Sequence, residues 1–210
     1  MIIQRYASMK RTCLLLFAAL AISGLAEASP TNLATNGSFE QGAGGIGSFS
    51  GWQTVLGDPA TFVDSSGQTG THFGQASDGL WSAYFGSTAS SGGSSIAETL
   101  ATAVGQSYLL TFDLANDNGG QPANNAFLAS LGGVSFSVTN LPAQDYVHER
   151  VLFVATGAAT LLKFSASNDQ GYLELDNVSV SATPEPASCA LLLVGSLAMA
   201  FVATRRRMPF

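Results

Sequence analysis

The chain has 210 residues, a formal net charge of −6, 46% hydrophobic residues and only 10% charged ones. Most of its basic residues sit in the two ends, so residues 29–183 hold twelve acids against two bases, Arg150 and Lys163. A body with that balance cannot neutralise a phosphate backbone, which excludes nucleic acid as a partner and makes a hard cation such as calcium a natural one.

The N-terminal end carries Arg5, Lys10 and Arg11, then an apolar run from Cys13 to Leu25, then Ala26-Glu27-Ala28. A basic start, a short apolar core and an A-x-A site form a secretory signal peptide over residues 1–28, cut by signal peptidase after Ala28. The apolar run is too short for a comfortable membrane span, which argues against an uncleaved anchor.

From residue 29 to 182 helix signals are nearly absent. Gly, Ser, Thr and Asn punctuate the chain at short intervals, and between them apolar residues alternate with polar ones. Period-two alternation bounded by turn residues predicts strands with one buried face. The segments lie near 33–39, 52–56, 60–64, 81–86, 95–102, 107–114, 125–131, 133–139, 146–155, 160–167 and 172–181. In the last of them Leu173 and Leu175 point inward, Glu174 and Asp176 outward. Gly132-Gly133, between two alternating runs, reads as a two-residue hairpin turn. The stretches 89–95 and 116–125 read as polar loops at the ends of the body. Many short antiparallel strands in one domain predict an all-β sandwich or barrel. Both cysteines, Cys13 and Cys189, lie in the ends, so this exported domain is held by its core alone.

The C-terminal end begins with Pro184-Glu185-Pro186. It continues through 17 uncharged residues, Ala187 to Ala203, and reaches Arg205, Arg206 and Arg207. At ~1.5 Å per residue the run covers ~25 Å as a helix, the short end of what crosses a bilayer. The arginines favour the cytoplasmic side, which puts the body outside it. Residues 183–210 thus read as a motif, a single transmembrane helix and a basic stop.

Candidate chemistry within the body is sparse. Sugar sites combine exposed aromatic faces with amides and carboxylates. Trp52, Tyr146 and Tyr172 are the aromatic candidates, with Asn116 and Asp117 as polar partners; Trp81 and Tyr84 lie in a strand and are expected to fill the core. Catalysis finds no support. "HERVL" at His148 lacks the second histidine of a zinc-protease helix, no G-x-S-x-G elbow occurs, and no spacing specifies a glycosidase carboxylate pair. The acceptor patterns at Asn36 and Asn177 fall inside expected strands and are read as chance matches.

Taken together, "NLATNGSFE" from Asn32, Gly51-Trp52, "SAYFG" from Ser82, "LATAVGQSYLLTFDLAND" from Leu100 and "SNDQGYLELDNVSV" from Ser167 resemble the carbohydrate-binding-module-like, galactose-binding-like jelly rolls. The Pro184-Glu185-Pro186 motif, apolar run and Arg205–Arg207 cluster resemble the PEP-CTERM sorting signal of Gram-negative bacteria. The resemblance implies an antiparallel jelly-roll β-sandwich over 29–182. It also implies membrane anchoring until an exosortase removes the tail, and delivery to the cell surface or extracellular matrix. There the role would be adhesive or structural in exopolysaccharide or biofilm, without catalysis and with weak carbohydrate binding. The alternatives are a matrix protein with no discrete ligand and, last, a glycan-active enzyme. The family's structural calcium would fall to Glu40 and Asp176, with Asn177 standing where a second acid is usual. The loop 89–95 departs from the family pattern by lacking an acid.

Overall fold

The computed structural model describes residues 31–41, 45–46, 49–56, 60–65, 76–118, 121–122, 124–183 and 194–198. Among them eleven strands form two sheets in which every pairing is antiparallel. The six-stranded sheet runs, edge to edge, β1 (Gly45–Ile46), β3 (Thr61–Ser65), β4 (Trp81–Phe85), β11 (Tyr172–Ala182), β6 (Ser107–Asp117) and β9 (Gln144–Val154). The five-stranded sheet runs β2 (Gln53–Leu56), β5 (Ser94–Ala101), β10 (Ala159–Asn168), β7 (Asn125–Leu131) and β8 (Val134–Thr139). This is the jelly-roll sandwich that the alternating pattern and the resemblance led us to expect.

The alternation builds the core directly. Phe85, Leu110, Phe112, Leu114, Leu173 and Leu175 point inward from one sheet, and Ile96, Leu100, Phe127, Leu162 and Phe164 from the other; all are essentially inaccessible. The two sets meet ring to ring: Phe112 lies 5.7 Å from Phe127 and 5.5 Å from Phe164 between ring centres. The β7–β8 hairpin closes as the Gly-Gly pair predicts. Gly132 and Gly133 both take positive φ, 55° and 83°, between the paired Leu131 and Val134. That is the geometry whose twist suits a two-residue hairpin, and glycine adopts it without steric cost.

Two expectations need correction. Residues 33–39 form a sequence of turns, not a strand. Asn36 and Phe39 adopt positive φ (49° and 56°), and the Asn36 amide donates to the carbonyls of Ser50 and Gln41. Gly37 lies so close to the last strand that an added Cβ would sit 1.9 Å from the Val178 carbonyl oxygen. The loop is thus pressed onto β11 and drives Phe39 into the core. The second correction is at β6, which continues through Asp117 instead of stopping near residue 114 and giving way to a loop. The amide of Asn177, the other acceptor pattern, donates to Asp113; Asn177 has φ 51° at a bulge in the β11–β6 ladder.

The expected signal peptide over residues 1–28, Pro184–Pro186 and Arg205–Arg207 lie outside the described residues. Of the C-terminal apolar run, 194–198 are helical. No helix among the described residues is long and apolar enough to cross a membrane.

Candidate functional site

The two sheets present very different outer faces. On the six-stranded sheet the outward residues of β3, β4, β11, β6 and β9 make an acidic, aromatic layer. Strand register sets Phe62 beside Tyr84 and Tyr84 beside Glu174, and in the next row Asp176 beside Asp113 and Asp113 beside His148. Phe62 and Tyr84 stack at 5.4 Å, and Tyr172 meets both edge-on at 5.4 and 5.9 Å. The Tyr146 hydroxyl donates to Glu174 Oε2 at 3.1 Å. The expected sugar residues Tyr146, Tyr172 and Asp117 therefore share one face.

That face is closed to a ligand at its centre. Glu174, Asp176, Tyr84 and Ser82 are almost fully buried. Asp176 is covered by the segment entering β4: its Oδ2 accepts from the Asp78 amide at 2.9 Å and the Ser77 hydroxyl at 3.1 Å, and its Oδ1 from the Asn177 amide at 2.7 Å. Glu40 grips the same segment further on, its Oε1 accepting from the Leu80 and Trp81 amides at 2.7 Å each. The two residues expected to bind calcium thus form a clasp on residues 77–81. Among the described residues no group of three or more His, Cys, Asp or Glu side chains is gathered to hold a metal ion.

Burial governs the protonation of this layer. It pushes Glu174 up to about 7, helped by the nearby acids Asp117, Asp145 and Asp176 and opposed by the Tyr146 hydrogen bond. It pushes Asp176 up to about 7 as well, against the amides of Asp78 and Asn177. Tyr84 is raised to about 12 by burial and by Glu174. Asp113 goes the other way. Burial alone would raise it, but hydrogen bonds from His148, Asn177 and Ser77 together outweigh that and hold it below the ordinary range. The His148 Nδ1 to Asp113 Oδ1 distance is 2.6 Å.

Two expected sugar residues belong to the interior. Trp52 is buried between Phe39 and Phe164, with ring centres at 6.0 and 5.8 Å, so it offers no face to a sugar. Asn116 is fully buried. Its Nδ2 donates to the Leu141 carbonyl at 2.7 Å and its Oδ1 accepts from Asn168 Nδ2 at 3.0 Å, so it serves as a polar tie between strand ends. Trp81, expected in the core, packs at its margin, while Tyr84 is buried on the opposite side of its strand in the acidic layer.

The outer face of the five-stranded sheet is open. A groove of ≈ 440 Å³ runs across β5, β10, β7 and β8, walled at one end by the turn 89–93. Its floor is Leu128 with the small residues around it. Ser95, Ser137, Thr139 and Ser165 supply hydroxyls, and Lys163, one of the two cations of the body, supplies an ammonium group. The hydroxyl of Ser94, also in the lining, is buried without a hydrogen-bond partner. A concavity of this size, with an apolar floor and a few polar groups, has the proportions of a small-molecule site. The alternating pattern of these strands placed Lys163 and its neighbours on the solvent side, but nothing in a run of serines marks a groove. The turn itself recovers the acid that its sequence lacks: Asp169 Oδ1 accepts from the Ala89 amide at 2.9 Å.

Solved structures with this fold include the carbohydrate-binding module TmCBM61 in complex with β-1,4-galactotriose. It is 14% identical, with 73% of this chain and 99% of that one covered and a TM-score of 0.54. A family 16 carbohydrate-binding module is 13% identical over 71% of this chain and 99% of that one, with a TM-score of 0.50. No family model matches the sequence, and neither does any curated protein. At these identities the likeness concerns the fold: the chain shares the two-sheet antiparallel sandwich of these modules.

Proposed function

We propose that this protein is a non-catalytic carbohydrate-binding module of the cell surface or extracellular matrix, delivered there by its C-terminal sorting signal, and that it holds polysaccharide in the groove over the five-stranded sheet. The groove carries this reading. It is the open concavity whose hydroxyls and ammonium group can exchange hydrogen bonds with sugar hydroxyls, while Leu128 meets the C–H face of a ring. The carbohydrate-binding modules that share the fold support the ligand class. The sorting signal, with exosortase and signal peptidase as its processing partners and exopolysaccharide or biofilm as its destination, is supported by the sequence of the two ends. Calcium at Glu40 and Asp176 belongs to the same reading, because both residues offer carboxylate oxygens to a hard cation.

Affinity electrophoresis of the protein against a panel of soluble polysaccharides, β-1,4-galactan included, tests the site. Ser165→Trp fills the groove and should weaken binding by at least about tenfold, or 1.4 kcal/mol. Tyr172→Ala, on the opposite sheet, should leave it unchanged. Melting curves confirm that both variants are folded. Binding retained by Ser165→Trp, or lost in Tyr172→Ala, would move the site to the acidic face. The groove has no aromatic floor, and this favours a second reading, a matrix scaffold with no discrete ligand. Absence of binding across the panel selects it.

A further inference from the structure

We propose that, until the tail is removed, one pole of the sandwich, around Val104, Leu152 and Val154, rests on the lipid bilayer that the C-terminal apolar run enters. The proposal depends on the reading of that run as a membrane span. Three independent observations on the folded body lead to it.

The first is where the fold lets go of the chain. Thr183 is still held: its amide donates to the Ser107 carbonyl at 2.9 Å, its hydroxyl to the same oxygen at 3.2 Å, and its own carbonyl accepts from Gln106 Nε2 at 3.0 Å. Only Pro184, Glu185 and Pro186 separate it from Ala187, where the apolar run begins. Three residues span at most ~10 Å. The headgroup layer outside the hydrocarbon is itself roughly 5–8 Å deep. A chain anchored at Thr183 therefore has no slack to hold the body away from the surface.

The second is what surrounds the exit. The turn 103–106 lies beside Thr183 through Gln106, and Gly105 donates to the carbonyl of Ala155. Val154 pairs with Ser107, and Leu152 with Leu109, whose other neighbour is Ser181. Val104 is 71% exposed, Leu152 66% and Val154 51%. Large apolar side chains this open, gathered around one chain exit, form a patch of the kind that marks an interaction surface.

The third is charge. Residues 99–109, 130–135, 151–161 and 179–183, which supply the strand ends and turns of this pole, contain no Asp, Glu, Lys or Arg. The acids of these strands begin further in, with Glu98 opposite Leu162 and Glu149 opposite Phe112, so the strongly acidic body turns its uncharged end towards the exit. An apolar, uncharged surface can enter the headgroup layer without the desolvation cost that carboxylates would impose.

The test uses the signal-processed chain, residues 29–210, in phosphatidylcholine–phosphatidylglycerol vesicles, with Cys189 changed to Ser and an environment-sensitive fluorophore on Val104→Cys, on Leu152→Cys or, as the distant control, on Asp145→Cys. Lipids carrying a quencher at the headgroup should extinguish most of the fluorescence at positions 104 and 152 and leave that at 145 unchanged. Co-flotation of protein with vesicles is measured in the same samples. Flotation without quenching at 104 and 152 overturns the docked pole and leaves the span standing. Equal quenching at all three positions also overturns it. Failure to float overturns both the span and the inference built on it.

Discussion

Replacing Trp52 with Ala should cost about 3–5 kcal/mol of stability, the range for deleting a large buried aromatic. In a body of this size that lowers Tm by roughly 10 °C. The indole is wedged where three parts of the fold meet. Phe39 comes from the turns pressed on β11, Phe164 from the middle of the five-stranded sheet, and Trp52 itself from the residue before β2. Its Nε1 donates to the Asn36 carbonyl at 3.4 Å. Removing it opens a cavity and frees the N-terminal turns together. Trp81→Ala, at the core's margin, should cost much less. Thermal melts of the two variants, with polysaccharide affinity measured at a temperature where both are folded, separate packing from recognition. Affinity lost at full stability in Trp52→Ala would return the indole to the binding site.

The second large effect is with pH. Lowering the pH from 8 to about 5 should stabilise the protein. Glu174 and Asp176 ionise near 7 in the fold, against ordinary values of 4.5 and 3.8. Between those limits the folded chain keeps protons that the unfolded chain has released, so acid favours the fold. Above pH 7 Glu174 opposes folding by about 3 kcal/mol at most and Asp176 by about 4 kcal/mol, and because the two interact they titrate as a pair with a smaller combined effect. Asp113 contributes in the opposite sense. Held below its ordinary range, it stabilises the fold above its unfolded value and loses that contribution as pH falls further. The optimum should therefore lie near about pH 5. Melts from pH 4 to 8 in chelator check this, and the double change Glu174→Gln with Asp176→Asn should flatten the slope. A Tm that rises from pH 5 to 8 would show these carboxylates to be charged in the fold. Calcium has a distinct signature in the same experiment. As a ligand Asp176 would be held ionised, so the ion should raise Tm more at pH 8 than at pH 5, and an identical profile with and without it removes the calcium assignment.

The sandwich was legible because its strands are half-buried. "SYLLTFDLAND" and "TLLKFSAS" show one apolar face each, and β6 and β10 follow from them to within a few residues. Asn36-Gly37 misled because "NLATNGSF" imitates alternation, while the positive φ at Asn36 and Phe39 depends on a β11 carbonyl far along the chain. Glu174 and Asp176 were rightly assigned to the outer face, but outer was taken for exposed. The cover of Asp176 arrives with Asp78, 98 positions away, and the partner of Glu174 is Tyr146 on another strand, and local pattern registers neither. Trp52 was ambiguous for the same reason, since a single indole beside a glycine carries no period. The groove left no signal because it is made by absence of bulk: small residues on four neighbouring strands, unrelated in sequence, leave the room.

The strand order also dictates when this domain can exist. β10 sits between β5 and β7, and β11 between β4 and β6. The two strands synthesised last are interior members of the two sheets. Until they emerge, the earlier strands have only flanking partners, and β4 cannot reach β6. Closure is therefore a late, long-range event, slow on topological grounds. A nascent chain that stays open until its final strand is delivered remains threadable through a secretion channel for nearly its whole length.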